Sequence, residues 1–490
     1  MTDGKVQQSE PLSKKIVRGG IWLLALRITS RGLGFIRTII LARLLAPSDF
    51  GLLGIAMLAI ATLETFSQTG FQAALIQKKD NVESYLDTAW TVSAIRGIVL
   101  FLILFFCAPV VAKFFNSPQA TLVIKVIAVS TLLSGFRNIG ILFFQKELEF
   151  NKQFFYELSA TLVDLTVAIT LAFMLRNVWA LVWGGLAANF VRLFMSYIIQ
   201  PYRPRIRFEK EKFQELFSFG RWVLGSSILI FLITQGDDIF VGKMLGVTAL
   251  GFYQMAYLIS NLPATEITHV ISQVTFPAYS RLQYDLQRLR AAYLDTLQLT
   301  AFISIPIAGG IFILAPEFTE IFLGDKWMPM VPAMQVLCIF GATRSFGATT
   351  GPLFHGVGKP KTLTNLAILQ LLILSVIIYP LTKQWGLIGI SVAVVIPNII
   401  TQLVAACQII HITEAKVLNF SKSLFFPFIG TFVMILAVLF FKDFSGICLS
   451  GFLTHVFIGI ITYLGIIYML DLICGSYYKR MVLGLIRSLH

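Results

Sequence analysis

The sequence predicts an all-α polytopic membrane protein with about fourteen transmembrane helices. Composition is the first reason, because 57% of the 490 residues are hydrophobic and only 13% are charged. Soluble globular domains average about 45–50% apolar and about 25% charged residues. The second reason is that the apolar residues come in runs of membrane-spanning length. The third is that basic residues are concentrated in alternate loops between those runs.

The predicted spans are separated by charged residues, proline and glycine. A helix needs about 20 residues to cross the hydrocarbon core. On that basis the spans lie at 18–42, 51–75, 88–112, 120–144, 155–175, 178–200, 217–238, 248–277, 293–314, 331–355, 362–382, 385–410, 423–441 and 448–471. Tails and loops on the side of the N-terminus contain 23 Lys and Arg residues, with Arg18 at the edge of the first span counted in the tail, against 7 on the opposite side. The positive-inside rule therefore predicts that both termini are cytoplasmic.

The chain also contains an internal duplication. Matching residues recur in order at offsets between 200 and 208: Gly20 and Trp22 with Gly220 and Trp222, Tyr85–Thr88 with Tyr293–Thr296, Arg137 and Gly140 with Arg344 and Gly347, and Trp179 with Trp385. Each copy contains six spans, so both copies enter the membrane in the same orientation. We therefore predict two six-helix bundles in parallel repeat, with a substrate path between them, followed by two extra C-terminal helices.

This organisation divides the chain into six segments. They are a cytoplasmic tail at 1–17, the first bundle at 18–200, a basic amphipathic cytoplasmic linker at 201–216, the second bundle at 217–410, the two extra helices at 423–471 and a cytoplasmic tail at 472–490. Phe213, Leu216 and Phe217 fall at helical spacing beside the linker's charges, which suits the membrane surface. The net charge of +14 is spread in small groups between apolar runs, so we expect contact with membrane lipids and no nucleic-acid partner.

Nine basic residues fall inside the predicted spans. Each costs about 2.5–3.5 kcal/mol at mid-bilayer, so they should face the protein interior or water. Five in the first copy are candidate substrate-binding residues: Arg27, Arg31, Arg37, Arg96 and Arg137. Arg137 recurs in the second copy as Arg344, which suits a structural brace at least as well as a ligand contact. Guanidinium groups match phosphate geometry, so an arginine-rich interior favours a phosphate-bearing substrate.

Acidic residues inside the spans are fewer. The candidates for ion coupling are Glu64, Glu157, Asp164 and Glu266, together with His269, which the repeat aligns with Glu64. They are either ion-pair partners of the arginines or a protonatable relay coupled to transport. Asp87 and Asp295 open the third span of each copy, where we expect them to cap those helices or pair with nearby cations.

The sequence contains no catalytic motif. Gly356–Pro360 has a proline where the phosphate-binding pattern G-x-x-x-x-G-K-[ST] needs Ser or Thr. The five histidines are scattered, and the five cysteines are odd in number and unpaired in spacing. We therefore predict a transporter with neither cofactor nor metal, and not an enzyme.

Several motifs resemble one transporter family. The first span reads SRGLGFIR at Ser30–Arg37 and is followed by ARLL at Ala42–Leu45. The cytoplasmic stretch QKELEFNK at Gln145–Lys152 resembles the colanic-acid-exporter branch, as do Phe276–Ala278 and Gly324–Trp327. The chain thus resembles the polysaccharide transporter family, the Wzx-type flippases of the multidrug/oligosaccharidyl-lipid/polysaccharide superfamily.

The resemblance implies a fourteen-helix bundle in the bacterial inner membrane. The implied activity is the transfer of undecaprenyl-diphosphate-linked oligosaccharide repeat units from the cytoplasmic to the periplasmic leaflet by alternating access. This transfer serves the biosynthesis of surface polysaccharide, either lipopolysaccharide or exopolysaccharide. A polysaccharide polymerase and glycosyltransferases are the implied protein partners.

Two alternatives stay open. The SRGLGFIR run is similar to the lipid II flippase, in which the two arginines of this motif line the cavity, and that role carries over to Arg31 and Arg37 alone. The eighth span departs from that pattern, because it offers His269 where the lipid II flippase has an arginine. The other alternative is a drug/cation antiporter of the same superfamily, which would need an acidic first bundle.

Overall fold

A computed structural model describes residues 12–78, 82–443 and 446–474. Helices make up most of these residues, and no strand occurs among them. The predicted all-α fold class is therefore confirmed. The chain divides into two compact units: unit 1 comprises Met1–Phe231 with Gly242–Gly251, and unit 2 comprises Leu232–Val241 with Phe252–His490.

The part of unit 1 that the structure describes is built mainly from nine helices. They are α1 (Leu12–Leu44), α2 (Pro47–Phe66), α3 (Phe71–Gln77), α4 (Glu83–Phe114), α5 (Ala120–Ile127), α6 (Val129–Gly135), α7 (Leu142–Lys146), α8 (Phe150–Leu175) and α9 (Trp179–Ile199). The start of α2 shows how the sequence sets these bounds. Pro47 opens the helix with a preset φ, and the Asp49 carboxylate accepts a hydrogen bond from the Ala46 amide at 2.9 Å.

Nine further α-helices follow in the described chain. They are α10 (Lys210–Met244), α11 (Val247–Ser260), α12 (Leu262–Leu282), α13 (Leu286–Phe318), α14 (Val331–Ser345), α15 (Gly347–Gly356), α16 (Pro360–Thr413), α17 (Val417–Lys442) and α18 (Leu449–Cys474). Residues of α10 and α11 are divided between the two units, and α12 to α18 belong to unit 2.

Helix α16 has room for two membrane spans. Its 54 residues would extend about 80 Å at about 1.5 Å per residue, against about 30 Å for the hydrocarbon core. The helix breaks at Gly386, where φ is 56° and ψ is −127°. Glycine tolerates this backbone because it has no Cβ. The break lies two residues beyond the loop predicted at 383–384, between the spans 362–382 and 385–410.

Among the described residues, eight helices are individually long and apolar enough to cross a membrane. The bent pair Ala120–Gly135 and Ile139–Lys146, at 72°, gives a ninth if it forms one span, and α16 is counted once. The protein is therefore a multi-pass membrane protein. The other predicted spans coincide with helices that are more polar or shorter, such as α1 and α14. The number fourteen stays a prediction.

Large apolar side chains on the helix surfaces fit a lipid environment. Phe106 of α4 is 72% exposed, Met174 of α8 is 74% exposed and Ile473 of α18 is 76% exposed. Exposed apolar surface on this scale is unfavourable in water. By contrast, small residues mark helix contacts: Ala168 and Ala172 of α8 are fully buried in a cluster with residues of α1 and α9, and small side chains let membrane helices approach closely.

The basic linker is helical only in its second part. Residues 201–209 have no helix, and α10 begins at Lys210. The Asp87 carboxylate of α4 accepts hydrogen bonds from the Tyr202 hydroxyl and, at 2.9 Å, from the Arg205 amide. The Thr91 hydroxyl accepts another from the Arg207 amide at 3.1 Å. These bonds use backbone N–H groups that a helix would otherwise satisfy, so the linker lies extended along the start of α4.

Within unit 2, the two C-terminal helices are fixed to α13 by one buried acid. Glu317 of α13 is only 3% exposed, and its carboxylate lies 3.1 Å from Lys442 Nζ of α17 and 3.0 Å from His455 Nδ1 of α18. The Tyr463 hydroxyl of α18 donates to the Phe302 carbonyl of α13 at 2.8 Å. A buried carboxylate needs such partners to offset its desolvation.

Candidate functional site

Unit 1 contains a polar cavity of about 660 Å³. Its walls come from the end of α2, the turn before α3, the middle of α4 and the break between α6 and α7. Three of the residues predicted from the sequence line it: Glu64, Arg96 and Arg137. A second cavity in unit 1, of about 690 Å³, has apolar walls that include Leu133 and Trp183 and none of the predicted site residues.

Arg96 of α4 is held against the end of α2. Its Nε donates to the Ser67 hydroxyl at 3.0 Å, and its Nη2 donates to the Glu64 carbonyl at 2.9 Å. Two of the guanidinium's five N–H groups are thus used to fix its position. The remaining three have no hydrogen-bond partner among the described residues, and they are available to a ligand in the cavity.

Arg137 lies in the non-helical break after α6. Asn138 makes this break: its side chain accepts from the Gly140 amide at 2.9 Å and donates to the Tyr202 carbonyl at 2.6 Å. The Arg137 Nη2 donates to Asn189 Oδ1 of α9 at 2.6 Å. Its Nε is buried and has no partner in the described part of the chain. One amide, that of Asn189, therefore holds Arg137 in place, and other N–H groups of its guanidinium remain free to bind a ligand.

Two glycines bring the arginine-bearing segments together. A Cβ on Gly97 would lie 2.8 Å from Gly135 Cα and 3.0 Å from the Thr131 carbonyl oxygen, which is closer than real Cβ atoms pack. The backbones of α4 and α6 can therefore touch only because neither residue has a side chain. Arg96 is adjacent to the first glycine and Arg137 follows the second by two residues, so both guanidinium groups reach the same cavity.

The predicted acids of unit 1 have different surroundings. Glu64 lines the cavity, and its carboxylate forms no ion pair with a described side chain. Asp164 lies 2.9 Å from Arg37 Nη2, and Glu157 lies 3.2 Å from Arg192 Nε. The last two carboxylates therefore contact arginines outside the cavity.

The remaining predicted residues lie elsewhere. Arg27 is half-buried and Arg31 is exposed on α1, and neither lines the cavity. Glu266 and His269 are on α12, but their side chains lie outside those that the structure describes. The structure therefore brings together two of the five predicted arginines and one of the predicted acids.

Sequence reasoning missed a buried polar cluster in unit 2. Asp237 of α10 is 2% exposed and accepts a hydrogen bond from the Tyr253 hydroxyl at 2.7 Å. Arg344 of α14 donates to the Tyr257 hydroxyl at 2.7 Å. The available signal was the adjacent acidic pair Asp237–Asp238 inside an apolar run. The pair ends the predicted span 217–238 and was not among the acids selected from the sequence.

A helical, multi-pass membrane protein with a cationic cavity in its first unit belongs to the class of membrane transporters. Residues 40–332 match the family described as polysaccharide biosynthesis protein. That match covers more than half of the chain, and the chain belongs to this family.

Two named relatives agree with this assignment, and one solved structure has the same fold. The chain is 26% identical over 420 residues to the lipopolysaccharide biosynthesis protein WzxC of Escherichia coli K12, covering 85% of each chain. It is 23% identical over 359 residues to the succinoglycan biosynthesis transport protein ExoT of Rhizobium meliloti, covering 73% of this chain and 72% of that one. It shares its fold with the lipid II flippase MurJ in an inward closed conformation, with a TM-score of 0.72, 17% identity, and coverage of 93% and 100%.

Proposed function

We propose that this protein is a flippase that translocates undecaprenyl-diphosphate-linked oligosaccharide repeat units across the bacterial inner membrane by alternating access. The observation that carries the proposal is the cavity of unit 1, where Arg96 and Arg137 present unused guanidinium donors. A diphosphate carries about two negative charges, and its desolvation has to be offset by fixed positive charge. The names of the relatives, which include a polysaccharide transport protein, support the same substrate class.

In this proposal the predicted residues divide by role. Arg96 and Arg137 bind the diphosphate in the cavity. Arg27 and Arg31 extend the cationic route along α1. Arg37 belongs to the same route, although its contact with Asp164 neutralises part of its charge.

The acids also divide by role. Glu157 and Asp164 act as ion-pair partners of arginines. Glu64, which lines the cavity without an ion pair, is the better candidate for protonation coupled to transport. Glu266 and His269 remain the corresponding candidates in the second copy. The termini are cytoplasmic, and the protein partners are a polymerase and glycosyltransferases. The protein has no enzymatic activity and needs no cofactor or metal.

The alternatives are less well supported. A drug/cation antiporter would place a cationic substrate beside Arg96 and Arg137, which would repel it. A lipid II-type flippase shares the fold and the phosphate chemistry, so only the cargo distinguishes it from the proposed function.

Deleting the gene in the source cells tests the proposal. We expect surface polysaccharide to disappear and undecaprenyl-diphosphate-linked repeat units to accumulate in the inner membrane, with both effects reversed by re-expression. Peptidoglycan synthesis should continue. Loss of peptidoglycan synthesis with surface polymer intact would instead assign the protein to lipid II. Unchanged surface polymer with raised drug sensitivity would support the antiporter.

A further inference from the structure

We propose that the unit 1 cavity contains a second subsite, an amide rim formed by Gln68, Gln72 and Gln145, that hydrogen-bonds the first sugar attached to the diphosphate. The inference rests on the proposed function and adds to it. It assigns the phosphate and the sugar of one substrate to two different parts of the same cavity.

The three glutamines lie on two chain segments that line the cavity. Gln68 is in the turn after α2, Gln72 is in the first turn of α3 and Gln145 is in α7. All three line the cavity, and all three side chains are exposed within it or at its mouth. The three glutamines therefore reach the cavity from two chain segments, whereas Arg96 approaches from α4.

The side-chain amides around the cavity differ in whether they already form hydrogen bonds. The asparagine amides near the cavity are occupied: Asn138 bonds Gly140 and the Tyr202 carbonyl, and Asn189 bonds Arg137. The side-chain amides of the three rim glutamines have no hydrogen-bond partner among the described residues. The local fold therefore uses the asparagines for structure and leaves the glutamines free to bind a ligand.

The chemistry of a side-chain amide suits a sugar. A neutral amide both donates and accepts hydrogen bonds, so it can pair with two neighbouring hydroxyl groups of a sugar. It has no net charge with which to attract phosphate, for which arginine is far better suited. The volume of about 660 Å³ lies within the usual range of about 300–1,000 Å³ for ligand sites. The cavity is therefore large enough for a diphosphate together with sugar.

The test compares binding of two lipids to the purified full-length protein in nanodiscs. One lipid is undecaprenyl diphosphate, and the other is the sugar-bearing undecaprenyl-diphosphate repeat unit extracted from the source cells. The variant is Gln72→Met with Gln145→Met, since methionine preserves chain length but loses the amide. Gln287→Met is the matched control, because Gln287 is an exposed glutamine on α13 of unit 2.

We expect the double variant to bind the sugar-bearing lipid about threefold to tenfold more weakly, the loss that follows from one or two missing hydrogen bonds. Its affinity for undecaprenyl diphosphate should match that of the wild type and of the control. Equal weakening for both lipids, or no weakening for either, overturns the amide rim. Arg96→Ala tests the proposed function separately: it should weaken both lipids, and unchanged binding of both would refute the cationic wall and leave the rim result interpretable.

Discussion

Arg37 of α1 and Asp164 of α8 form an ion pair, with 2.9 Å between Arg37 Nη2 and Asp164 Oδ1. Both side chains are largely buried, at 18% and 24% exposure. Gly184 of α9 makes room for the carboxylate, since a Cβ there would lie 2.8 Å from Asp164 Oδ1. The pair therefore stabilises the contact between α1 and α8 where α9 packs against them. Any contribution of Arg37 to substrate binding has to compete with this partner.

Arg37→Ala should destabilise the protein because it leaves the Asp164 carboxylate without its counter-ion. We expect the free energy of unfolding to fall by about 2 kcal/mol, a value between those for breaking an exposed ion pair and a buried one. The double variant Arg37→Ala, Asp164→Ala should regain most of that stability. Thermal unfolding of the detergent-solubilised protein measures the effect. A double variant less stable than Arg37→Ala would contradict the pairing, and export by the stable double variant would show that Arg37 is not needed for substrate.

Gly97→Ala should disturb the cavity through the backbone. The new methyl group would lie 2.8 Å from Gly135 Cα, so α4 and α6 must separate. Overpacking of this kind costs about 1–3 kcal/mol. Gly185→Ala on α9 is the matched control, since a Cβ there meets nothing within 4 Å. We expect a lower melting temperature and reduced export for Gly97→Ala alone. Equal behaviour of the two variants would mean that the helix contact is looser than described.

The contact between Lys78 and Glu215 should give a pH-dependent contribution to stability. Lys78 Nζ donates to Glu215 at 2.5 Å and the Tyr85 hydroxyl donates to it at 2.6 Å. These bonds from Lys78 and Tyr85 lower the pKa of Glu215 from its ordinary 4.5. The bond to Glu215, then that to Tyr85, raises the pKa of Lys78 above 10.5. The contribution is therefore complete between about pH 5 and pH 10, and it is lost on either side.

Glu215→Gln should lower stability at pH 7 by less than about 1 kcal/mol, because the pair is exposed to solvent. The difference from wild type should shrink as the pH falls through the lowered pKa of Glu215, since the wild-type carboxylate is then protonated as well. Glu211→Gln, on the same helical turn but without an ion pair among the described residues, is the control. A difference that grows on acidification would contradict this sign.

The conformation of linker residues 201–209 should depend on Asp87. The Asp87 carboxylate accepts the Tyr202 hydroxyl, and burial followed by this carboxylate raises the pKa of Tyr202. Tyr202→Phe and Asp87→Asn should each lower the free energy of unfolding by about 1.5 kcal/mol, the lower end of the range for a hydrogen bond to a charged group, because the contact is only part-buried. The double variant should cost less than their sum. Protease cleavage within 201–209 is the readout, and Tyr284→Phe, at 92% exposure, is the control. Additive losses would show that the two side chains do not act together.

The fold was predictable because hydropathy and loop charge are properties of long stretches of sequence and do not depend on single contacts. The predicted spans fall on helical segments of the described residues, although non-helical residues interrupt several of them, for example at 67–70 and 136–138. The break in α16 at Gly386 lies two residues beyond the loop predicted at 383–384. The course of the linker was not predictable. Tyr202, Arg205 and Arg207 look like an ordinary basic stretch until Asp87, more than one hundred residues earlier, is placed beside them.

The sequence predicted which types of residue form the candidate site, but it did not predict which of them lie together in the cavity. An arginine inside a span has to be compensated, and this reasoning selected five arginines, of which only Arg96 and Arg137 line the cavity. Periodicity could not show that Arg37 contacts Asp164 while Arg96 binds a backbone carbonyl. That outcome depends on which helices touch, and the deciding residues are glycines such as Gly97 and Gly135. Their significance lies in the side chains they lack.

Arg96→Ala should abolish export while the protein still inserts into the membrane. The substitution removes a fixed positive charge from the cavity and the two hydrogen bonds that join α4 to the end of α2. Arg96→Lys should rescue export only in part, because an ammonium group restores the charge but not the planar fork that binds phosphate through two bonds.

Arg176→Ala, at an exposed helix end, removes the same charge outside the cavity and should export normally. Surface polysaccharide per unit of membrane-inserted protein is the measurement. If Arg96→Ala and Arg176→Ala export equally well, the cavity charge has no part in transport. Full rescue by lysine would instead show that charge alone is sufficient and that the bidentate contact is not used.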